Sequence, residues 1–227
     1  MSCCHQQCEG IREIFNEKTA RKNLKQYLKK GPARTTQMLL QAIRDADGPA
    51  KSLLDIGGGV GAIQLELLQQ GLQKVYSVDA SPAYQAVARV EAERRGYQDR
   101  IVYLMGDFVE LAPQIPEADI VTLDRVICCY PDVEQLVGLS AQRARRLYGL
   151  VFPRERWWVK LGVKALNTLM WLFQRPFRTY VHSTQVVNNI LHRQGFIRRY
   201  HRTRGMWQVM VYVRQNSRKE YSVQAVD

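Results

Sequence analysis

The stretch that decides the fold is Asp55-Ile56-Gly57-Gly58-Gly59-Val60-Gly61. It joins a short apolar run, 52–54, to a helical pattern over 63–68. Its glycines let the backbone turn sharply and approach a ligand closely. The helix that follows offers unpaired N–H groups to a negative ligand group, and Asp55 adds an acceptor for a cationic group. The stretch therefore predicts a site for a ligand with an ammonium, a carboxylate and a nucleoside, and S-adenosylmethionine is such a ligand.

A dinucleotide site is the alternative interpretation of the same glycines. The pattern G-x-G-x-x-A runs over 57–62, and an acidic residue, Asp79, follows about 20 positions later. Asp79 ends the next apolar strand, 74–78, so it could bind the ribose hydroxyls of either cofactor. Asp55 favours S-adenosylmethionine, because a dinucleotide site usually has an apolar residue at that position.

A third acidic strand end strengthens this interpretation. The apolar run 101–105 ends in Gly106-Asp107-Phe108, which supplies an acceptor for an exocyclic amine and a ring to pack on adenine. An open α/β sheet binds ligands at the carboxyl ends of its strands, so acidic residues at three successive strand ends indicate one nucleoside site. The predicted cofactor-binding residues are Asp55, Gly57, Gly59, Gly61, Asp79, Ala80, Asp107, Phe108 and Asp124.

The order of patterns predicts a single α/β domain. Strands and helices alternate through the middle of the chain, which indicates a parallel sheet with helices on both faces. We expect one basic helix over 11–30, a helix over 133–146 and a strand over 148–152. The predicted parts are N-terminal cap helices (1–50), a cofactor-binding core (51–152), a lid or substrate segment (153–182) and a C-terminal helix with a hairpin (183–227).

Positive charge is concentrated in the second half of the chain. The 227 residues carry a formal net charge of +12. Between Arg143 and Lys219 there are 17 Lys or Arg residues and one acidic residue, Glu155. This balance indicates an anionic partner, which could be a small molecule, a membrane surface or a nucleic acid. A solvated surface is the simpler alternative.

The cysteines are clustered and odd in number, which is not typical of a disulfide framework. They are Cys3, Cys4, Cys8, Cys128 and Cys129. A reducing cytoplasm is therefore predicted, and no stretch resembles a signal peptide or a spanning helix. The thiols could converge on a zinc or metalloid site if the N-terminus caps the pocket. Their spacing does not match paired C-x₂-C zinc ligands, so no metal site is predicted, and Cys128 and Cys129 could simply pack as small apolar residues.

An amphipathic helix is predicted from Trp157 to Phe173. Its apolar arc is wide, and its polar stripe is narrow. Such a helix could be a lid over a flat apolar substrate, could lie on an anionic membrane surface, or could pack into the core. Its uncharged run, which begins after Lys164, is too short to span a bilayer.

Several motifs resemble those of the magnesium-protoporphyrin O-methyltransferases. They are Leu123-Asp124-Arg125-Val126-Ile127-Cys128-Cys129-Tyr130-Pro131, then Leu150-Val151-Phe152-Pro153, and then Arg178-Thr179-Tyr180-Val181-His182. The resemblance implies a Rossmann-like class I methyltransferase fold. It implies a mostly parallel seven-stranded sheet that ends in an antiparallel hairpin, with S-adenosylmethionine as the cofactor.

The resemblance also implies candidate catalytic residues. The family places a catalytic His immediately before the Tyr-Pro pair, and this sequence has Cys129 there. A catalytic Tyr near the end of the family's N-terminal helix corresponds to Tyr27. The candidate substrate-binding residues are Tyr130, Trp157, Arg178, Tyr180 and His182. Among these, Arg178 is of a type that can hold a carboxylate through two parallel hydrogen bonds.

The chemistry predicted from these residues is methylation of a small, anionic and partly apolar acceptor. A carboxylate is already ionised at neutral pH, so positioning alone could suffice, whereas a phenol would need a base. O-methylation of a carboxylate, which a porphyrin-like acceptor could supply, is therefore favoured over a thiol- or metalloid-directed reaction. A nucleic-acid methyltransferase is disfavoured, because the segment 124–127 lacks the Asn/Asp-Pro-Pro-aromatic motif of base amino methylation.

Overall fold

The computed structural model describes residues 5–46 and 50–215 and contains one seven-stranded sheet. The strand order is β3-β2-β1-β4-β5-β7-β6. Strands β1 to β5 are parallel, and β7 pairs antiparallel with both β5 and β6. The strands are β1 (Ser52–Ile56), β2 (Lys74–Asp79), β3 (Ile101–Met105), β4 (Ala118–Asp124), β5 (Ala144–Pro153), β6 (Phe196–Arg204) and β7 (Trp207–Arg214). The predicted sheet and its closing hairpin are confirmed.

Helices cover both faces of this sheet. They are α1 (His5–Ile14), α2 (Glu17–Lys30), α3 (Arg34–Arg44), α4 (Ala62–Gln69), α5 (Pro82–Arg94), α6 (Phe108–Leu111), α7 (Val133–Gln142), α8 (Trp157–Leu172) and α9 (Thr184–Arg193). One buried cluster joins α3 and α4 to the sheet through residues such as Leu39 and Leu65. The other joins α7 and α9 to it through residues such as Leu136 and Val187.

Two predicted helix boundaries are wrong. The basic helix expected over 11–30 is two helices, because Asn16 ends the first and caps the second by accepting a hydrogen bond from Thr19 N at 3.1 Å. The helix expected over 133–146 ends at Gln142, and the last strand of the parallel set begins at Ala144. The carbonyl of Arg143 accepts a hydrogen bond from Ala118 N at 2.8 Å, so sheet pairing overrides the helical pattern there.

Helix α8 does not pack into the core, so that alternative is wrong. Val159 is its one buried residue among those described. Eight large apolar side chains between Trp157 and Phe173 are exposed, including Trp157 at 77% and Trp171 at 68%. No helix within the described ranges is long and apolar enough to cross a membrane.

The segment after α8, residues 173–183, is called the strap. The strap lies outside the sheet. Two side-chain amides nevertheless pair with its backbone N–H and C=O groups, as the backbone of a neighbouring strand would. Asn167 donates to the carbonyl of Thr179 at 2.7 Å and accepts from its N–H at 2.9 Å. Gln7 does the same for Arg178, at 2.7 Å and 3.1 Å. The strap therefore joins α1 to α8.

A buried polar network lies where the central strands meet α4. The Asp55 carboxylate is 1% exposed and accepts hydrogen bonds from Thr122 Oγ1 at 2.7 Å and Gln64 Nε2 at 3.0 Å. Gln64 Nε2 also donates to Ser77 Oγ at 2.8 Å. Burial raises the pKa of Asp55 to about 7, although its two hydrogen bonds oppose the shift. This hydrogen-bond network around one ionisable group thus links four elements, β1, β2, β4 and α4.

We predict that Asp55→Asn will flatten the dependence of stability on pH. Above the ordinary carboxyl pKa of 3.8 the unfolded state releases a proton that folded Asp55 keeps until about pH 7. The free energy of unfolding should therefore fall as pH rises through this window, by at most about 1.4 kcal/mol per pH unit. Asparagine can keep the network, because the unpartnered Gln64 Oε1 could accept its N–H.

Urea unfolding of ligand-free wild type and variant at several pH values would test this. The difference in slope isolates Asp55, since Asp79 and Asp124 are present in both proteins. Parallel stability curves would contradict the prediction.

Candidate functional site

A cavity of about 800 Å³ opens at the carboxyl ends of the parallel strands. The glycine turn and the ends of β2, β3 and β4 form one part of its wall, and α1, α2 and the start of α3 form another. This is the position at which an open α/β sheet binds ligands. The cavity includes every predicted cofactor-binding residue except Gly61.

The glycine turn is tight because side chains from other elements press against it. Gly57 and Gly59 have φ of +63° and +56°, in the left-handed region that favours glycine. A Cβ on Gly57 would lie 2.5 Å from Val126 Cγ2, and a Cβ on Gly58 would lie 2.2 Å from Gln64 Nε2. Gly61 is the residue before α4 and positions the start of that helix. Backbone is thus the part of this turn that a ligand would meet.

Asp79 connects the glycine turn to the start of α5. Its two carboxylate oxygens accept hydrogen bonds from Gly59 N at 3.0 Å and Ser81 N at 2.8 Å. Burial raises the pKa of Asp79, and these backbone bonds oppose the shift. Ala80, the next residue, also lines the cavity. The carboxylate is held at the strand end, where ribose hydroxyls of a nucleoside could donate to its remaining lone pairs.

The end of β3 contributes Asp107 and Phe108. Asp107 caps α6 by accepting from Val109 N at 3.0 Å, and its other oxygen accepts from the hydroxyl of Tyr130 at 3.2 Å. Phe108 is 3% exposed, so its ring forms part of the cavity floor. Asp107 also links this floor to Tyr130, a predicted substrate-binding residue.

Asp124, at the end of β4, is held by α3 and by its neighbour in sequence. Thr36 Oγ1 donates to Asp124 Oδ2 at 2.5 Å. Arg125 Nε lies 3.7 Å from Asp124 Oδ1, and Arg125 donates to Thr35 Oγ1 at 2.6 Å. The Arg125 guanidinium lies 5.1 Å from the ring centre of Trp207. Burial raises the pKa of Asp124, and Arg125 opposes the shift.

S-adenosylmethionine fits this set of groups. The glycine turn has room only for backbone, as a close ligand contact requires, and the cavity volume is within the usual range for small-molecule sites. Asp79 could hold the ribose, Asp107 the exocyclic amine and Phe108 the adenine face. The buried carboxylate of Asp55 lies beneath the turn, where it could favour a positive ligand group through the field it creates.

Tyr27 lines the cavity, but its hydroxyl is already engaged. It is 6% exposed and donates to Glu66 Oε1 at 2.9 Å, while the Arg95 guanidinium lies 5.4 Å from its ring centre. Burial, followed by the interaction with Glu66, raises the pKa of Tyr27. Tyr27 is therefore a neutral phenol at physiological pH.

Cys129 also lines the cavity, beside Cys128 and Tyr130. The two sulfur atoms lie 3.8 Å apart, and both thiols are free. Gln7 Nε2 donates to the carbonyl of Cys129 at 2.9 Å, so α1 closes over this part of the wall. Cys3 and Cys4 and the side chain of Cys8 lie outside the described part of the chain. Within the described part no three His, Cys, Asp or Glu residues are grouped so as to hold a metal ion.

The structure does not bring the other four predicted substrate-binding residues to the cavity wall. Trp157 is exposed on α8. Arg178 donates to the carbonyls of Arg175 and Phe177, and with Tyr180 it lines a separate groove on the far side of the strap. His182 Nε2 donates to the carbonyl of Tyr130 at 2.9 Å, and its ring stacks on Tyr180. Burial lowers the pKa of His182, so its ring is neutral near pH 7.

Several cavity residues were not predicted from the sequence. They are, among others, Gln7, Asn23, Thr36, Arg125, Phe177 and Trp207. Arg125 could have been found, because it directly follows the acidic end of β4. The others come from segments distant in sequence, and no local pattern marks them.

Residues 54–145 match the family model described as a methyltransferase domain. The ribosomal protein L11 methyltransferase of Psychrobacter sp. (strain PRwf-1) is 36% identical over 91 residues, 39% of this chain and 30% of that protein. The probable cobalt-precorrin-6B C(15)-methyltransferase (decarboxylating) of Pyrobaculum aerophilum is 33% identical over 70 residues, 30% of this chain and 36% of that protein. The matches thus span about a third of the length of these curated relatives.

Solved methyltransferases share the fold over most of the chain. The magnesium protoporphyrin IX methyltransferase from Synechocystis PCC 6803 with bound SAH superposes with a TM-score of 0.70 at 21% identity, covering 92% of this chain and 100% of that one. An O-methyltransferase family protein from Burkholderia thailandensis gives a TM-score of 0.66 at 14% identity. The superposition covers 91% of this chain and 63% of that protein's chain. Residues 54–145 are therefore similar to a methyltransferase domain, and the chain has the fold of these solved methyltransferases, as its motifs predict.

Proposed function

We propose that the protein is an S-adenosylmethionine-dependent methyltransferase that methylates a carboxylate oxygen of a small, anionic and partly apolar acceptor. The observation that carries this proposal is that the glycine turn, Asp79, Asp107 and Phe108 line the same cavity as Tyr130 and Cys129. A nucleoside cofactor and an acceptor could therefore meet there. S-adenosylmethionine supplies a methyl group bonded to a positively charged sulfur atom.

The cavity wall supports an acceptor that arrives already ionised. Tyr27 is a neutral phenol that donates to Glu66, and His182 lies outside the wall with its Nε2 donating to a carbonyl. Neither is arranged to remove a proton from an acceptor. The protein's contribution is then to hold the acceptor in line, and positioning of this kind can supply most of the rate enhancement.

The same wall supports an acceptor that is both anionic and apolar. Phe177, Leu166 and Trp207 present apolar surface. Lys30, Arg34 and Arg125 line the cavity and could attract a carboxylate. Arg178 lies outside the cavity wall and donates to its own backbone. A porphyrin that bears a carboxylate combines these properties, and the Synechocystis neighbour is named a magnesium protoporphyrin IX methyltransferase.

Removing the Asp79 carboxylate should weaken S-adenosylmethionine binding at least tenfold. Each hydrogen bond to a charged group contributes about 1.5–3 kcal/mol, and 1.4 kcal/mol corresponds to a factor of ten. Calorimetry on Asp79→Ala would measure this, with Asp99→Ala as a control because Asp99 is exposed and outside the cavity. Equal affinity in Asp79→Ala and wild type, or selective binding of NAD by the wild type, would overturn the cofactor assignment.

A thiol- or metalloid-directed reaction is the second candidate, favoured by the free Cys128 and Cys129 in the wall. For a carboxylate acceptor Cys129→Ala should keep kcat within about tenfold of wild type, because positioning dominates the barrier. Ester formation on a panel of porphyrin carboxylates, analysed by mass spectrometry, would measure kcat. Complete loss of turnover in Cys129→Ala, with a stoichiometric metal in the purified wild type, would support the second candidate instead.

We also propose peripheral contact with an anionic membrane through α8. This helix exposes Leu161, Trp171 and neighbouring apolar side chains beside Lys160 and Lys164. Glu155, the acidic residue of this region, is paired with Lys160 at 3.0 Å. An exposed apolar face flanked by cations suits the interface of an anionic bilayer.

Vesicles that contain an anionic phospholipid should therefore sediment the protein. Binding should fall as salt rises, since charges are screened within about 8–10 Å near physiological ionic strength. Leu161→Ser combined with Trp171→Ser should reduce it further, whereas Val90→Ser, at an apolar position 63% exposed on α5, should not. Equal binding by all variants, or tight binding to duplex RNA and not to vesicles, would contradict this contact.

A further inference from the structure

Cys128 and Cys129 form a pair of free thiols that the proposed methyl transfer to a carboxylate does not use. Their sulfur atoms lie 3.8 Å apart, beyond the bonding distance of a disulfide, about 2.05 Å. A tetrahedral zinc ion with bonds of about 2.3 Å separates two sulfur ligands by about 3.8 Å. A trivalent atom that carries a lone pair has narrower bond angles, so it would draw the two sulfurs a few tenths of an ångström closer together. The pair therefore needs only a small side-chain movement to be bridged by one soft atom.

The backbone around the pair is held from three sides. Cys129 N donates to the carbonyl of Val126 at 2.8 Å within a 3₁₀ turn, Ile127–Cys129. Tyr180 N from the strap donates to the carbonyl of Cys128 at 2.7 Å. Gln7 from α1 holds the carbonyl of Cys129. The two thiols are thus preorganised, which lowers the entropic cost of binding both to one ligand.

The number and charge of the ligating groups decide which thiol-binding atom the two cysteines can hold. A structural zinc ion needs four ligands and binds thiolates, but the described residues offer no group of three metal-binding side chains here. The hydrogen bond with Cys129 and burial raise the pKa of the Cys128 thiol, so a charged thiolate is disfavoured. A ligand that joins two neutral thiols and yields a neutral product suits the pair better.

We propose that Cys128 and Cys129 form a dithiol site for monosubstituted trivalent arsenicals inside the cavity. An arsenical R–As=O condenses with the two thiols to give R–As(S–Cys)₂ and water. Two As–S bonds form and the arsenic–oxygen bond breaks. Both thiol protons leave with the oxygen, and arsenic stays trivalent, so no oxidant or reductant is required. The organic group would extend into the 800 Å³ cavity that both cysteines line.

Phenylarsine oxide is the probe for this site, with intact-protein mass spectrometry as the readout. Wild type should gain one phenylarsenic group and lose two hydrogen atoms, and 1,2-ethanedithiol should reverse the change. Cys128→Ser and Cys129→Ser should each retain the adduct at least about 100-fold less after dilution, because two-point attachment exceeds one-point attachment by about 10²–10⁴. The combined Cys3→Ser, Cys4→Ser and Cys8→Ser variant is the matched control and should behave like wild type.

A second measurement keeps the test independent of variant folding. In wild type the adduct should protect both Cys128 and Cys129 from alkylation by iodoacetamide, as seen by peptide mapping. The assignment is overturned if either single variant retains the adduct, if the N-terminal variant loses it, or if peptide mapping places it elsewhere. Binding requires no cofactor and no turnover, so its failure would leave the proposed methyl transfer unaffected.

Discussion

The buried carboxylate of Asp55 constrains the strands and the helix that meet around it. A carboxylate removed from water is costly unless donors surround it, and here the donors come from β4 and from the first turns of α4. To donate, Gln64 must lie so close to the glycine turn that a side chain on Gly58 would meet it at 2.2 Å. The glycine turn is therefore narrow because Gln64 must reach the Asp55 carboxylate to donate a hydrogen bond. For the same reason the turn presents backbone to the cavity.

The electrostatics of the cavity follow from the same architecture. Parallel strands place their acidic ends side by side. Burial raises the pKa of Asp55, Asp79 and Asp124, and the charges of Asp124 and Asp79 add to the shift at Asp55. Positive charge lies on the outer surface and, within the cavity wall, at Lys30, Arg34 and Arg125. The cavity wall therefore carries acidic groups at the strand ends and cationic groups in its other part.

The residues that line the strand-end part of the cavity were predictable from sequence, and those of the rest of the wall were not. Asp55, Asp79 and Asp107 each follow a short apolar run, so strand periodicity alone locates them at one edge of the sheet. Trp157 and Arg178 lie in a helix and a strap whose positions depend on long-range contacts, and no local pattern shows which side they present. The same limitation explains the misplaced end of α7, where pairing between β4 and β5 overrides a helical pattern. The break between α1 and α2 could have been predicted locally, because Asn16 is a residue type that caps helices. The helical periodicity continues across Asn16, so the two helices were predicted as one.

The strap has a consequence for the order in which the molecule can assemble. Gln7 and its partner Arg178 are 171 positions apart, so this hydrogen-bonded pair closes one of the longest loops in the chain. Contacts of such separation form late, because the entropy of a long loop must be lost before they contribute. On the ribosome, α1 emerges early and has no strap to bind until the five parallel strands, β1 to β5, have been synthesised. The bonds between Asn167 and Thr179 span only 12 positions, so they can form as soon as the strap does. The bonds between Gln7 and Arg178 must form later, and they close the side of the cavity next to α1.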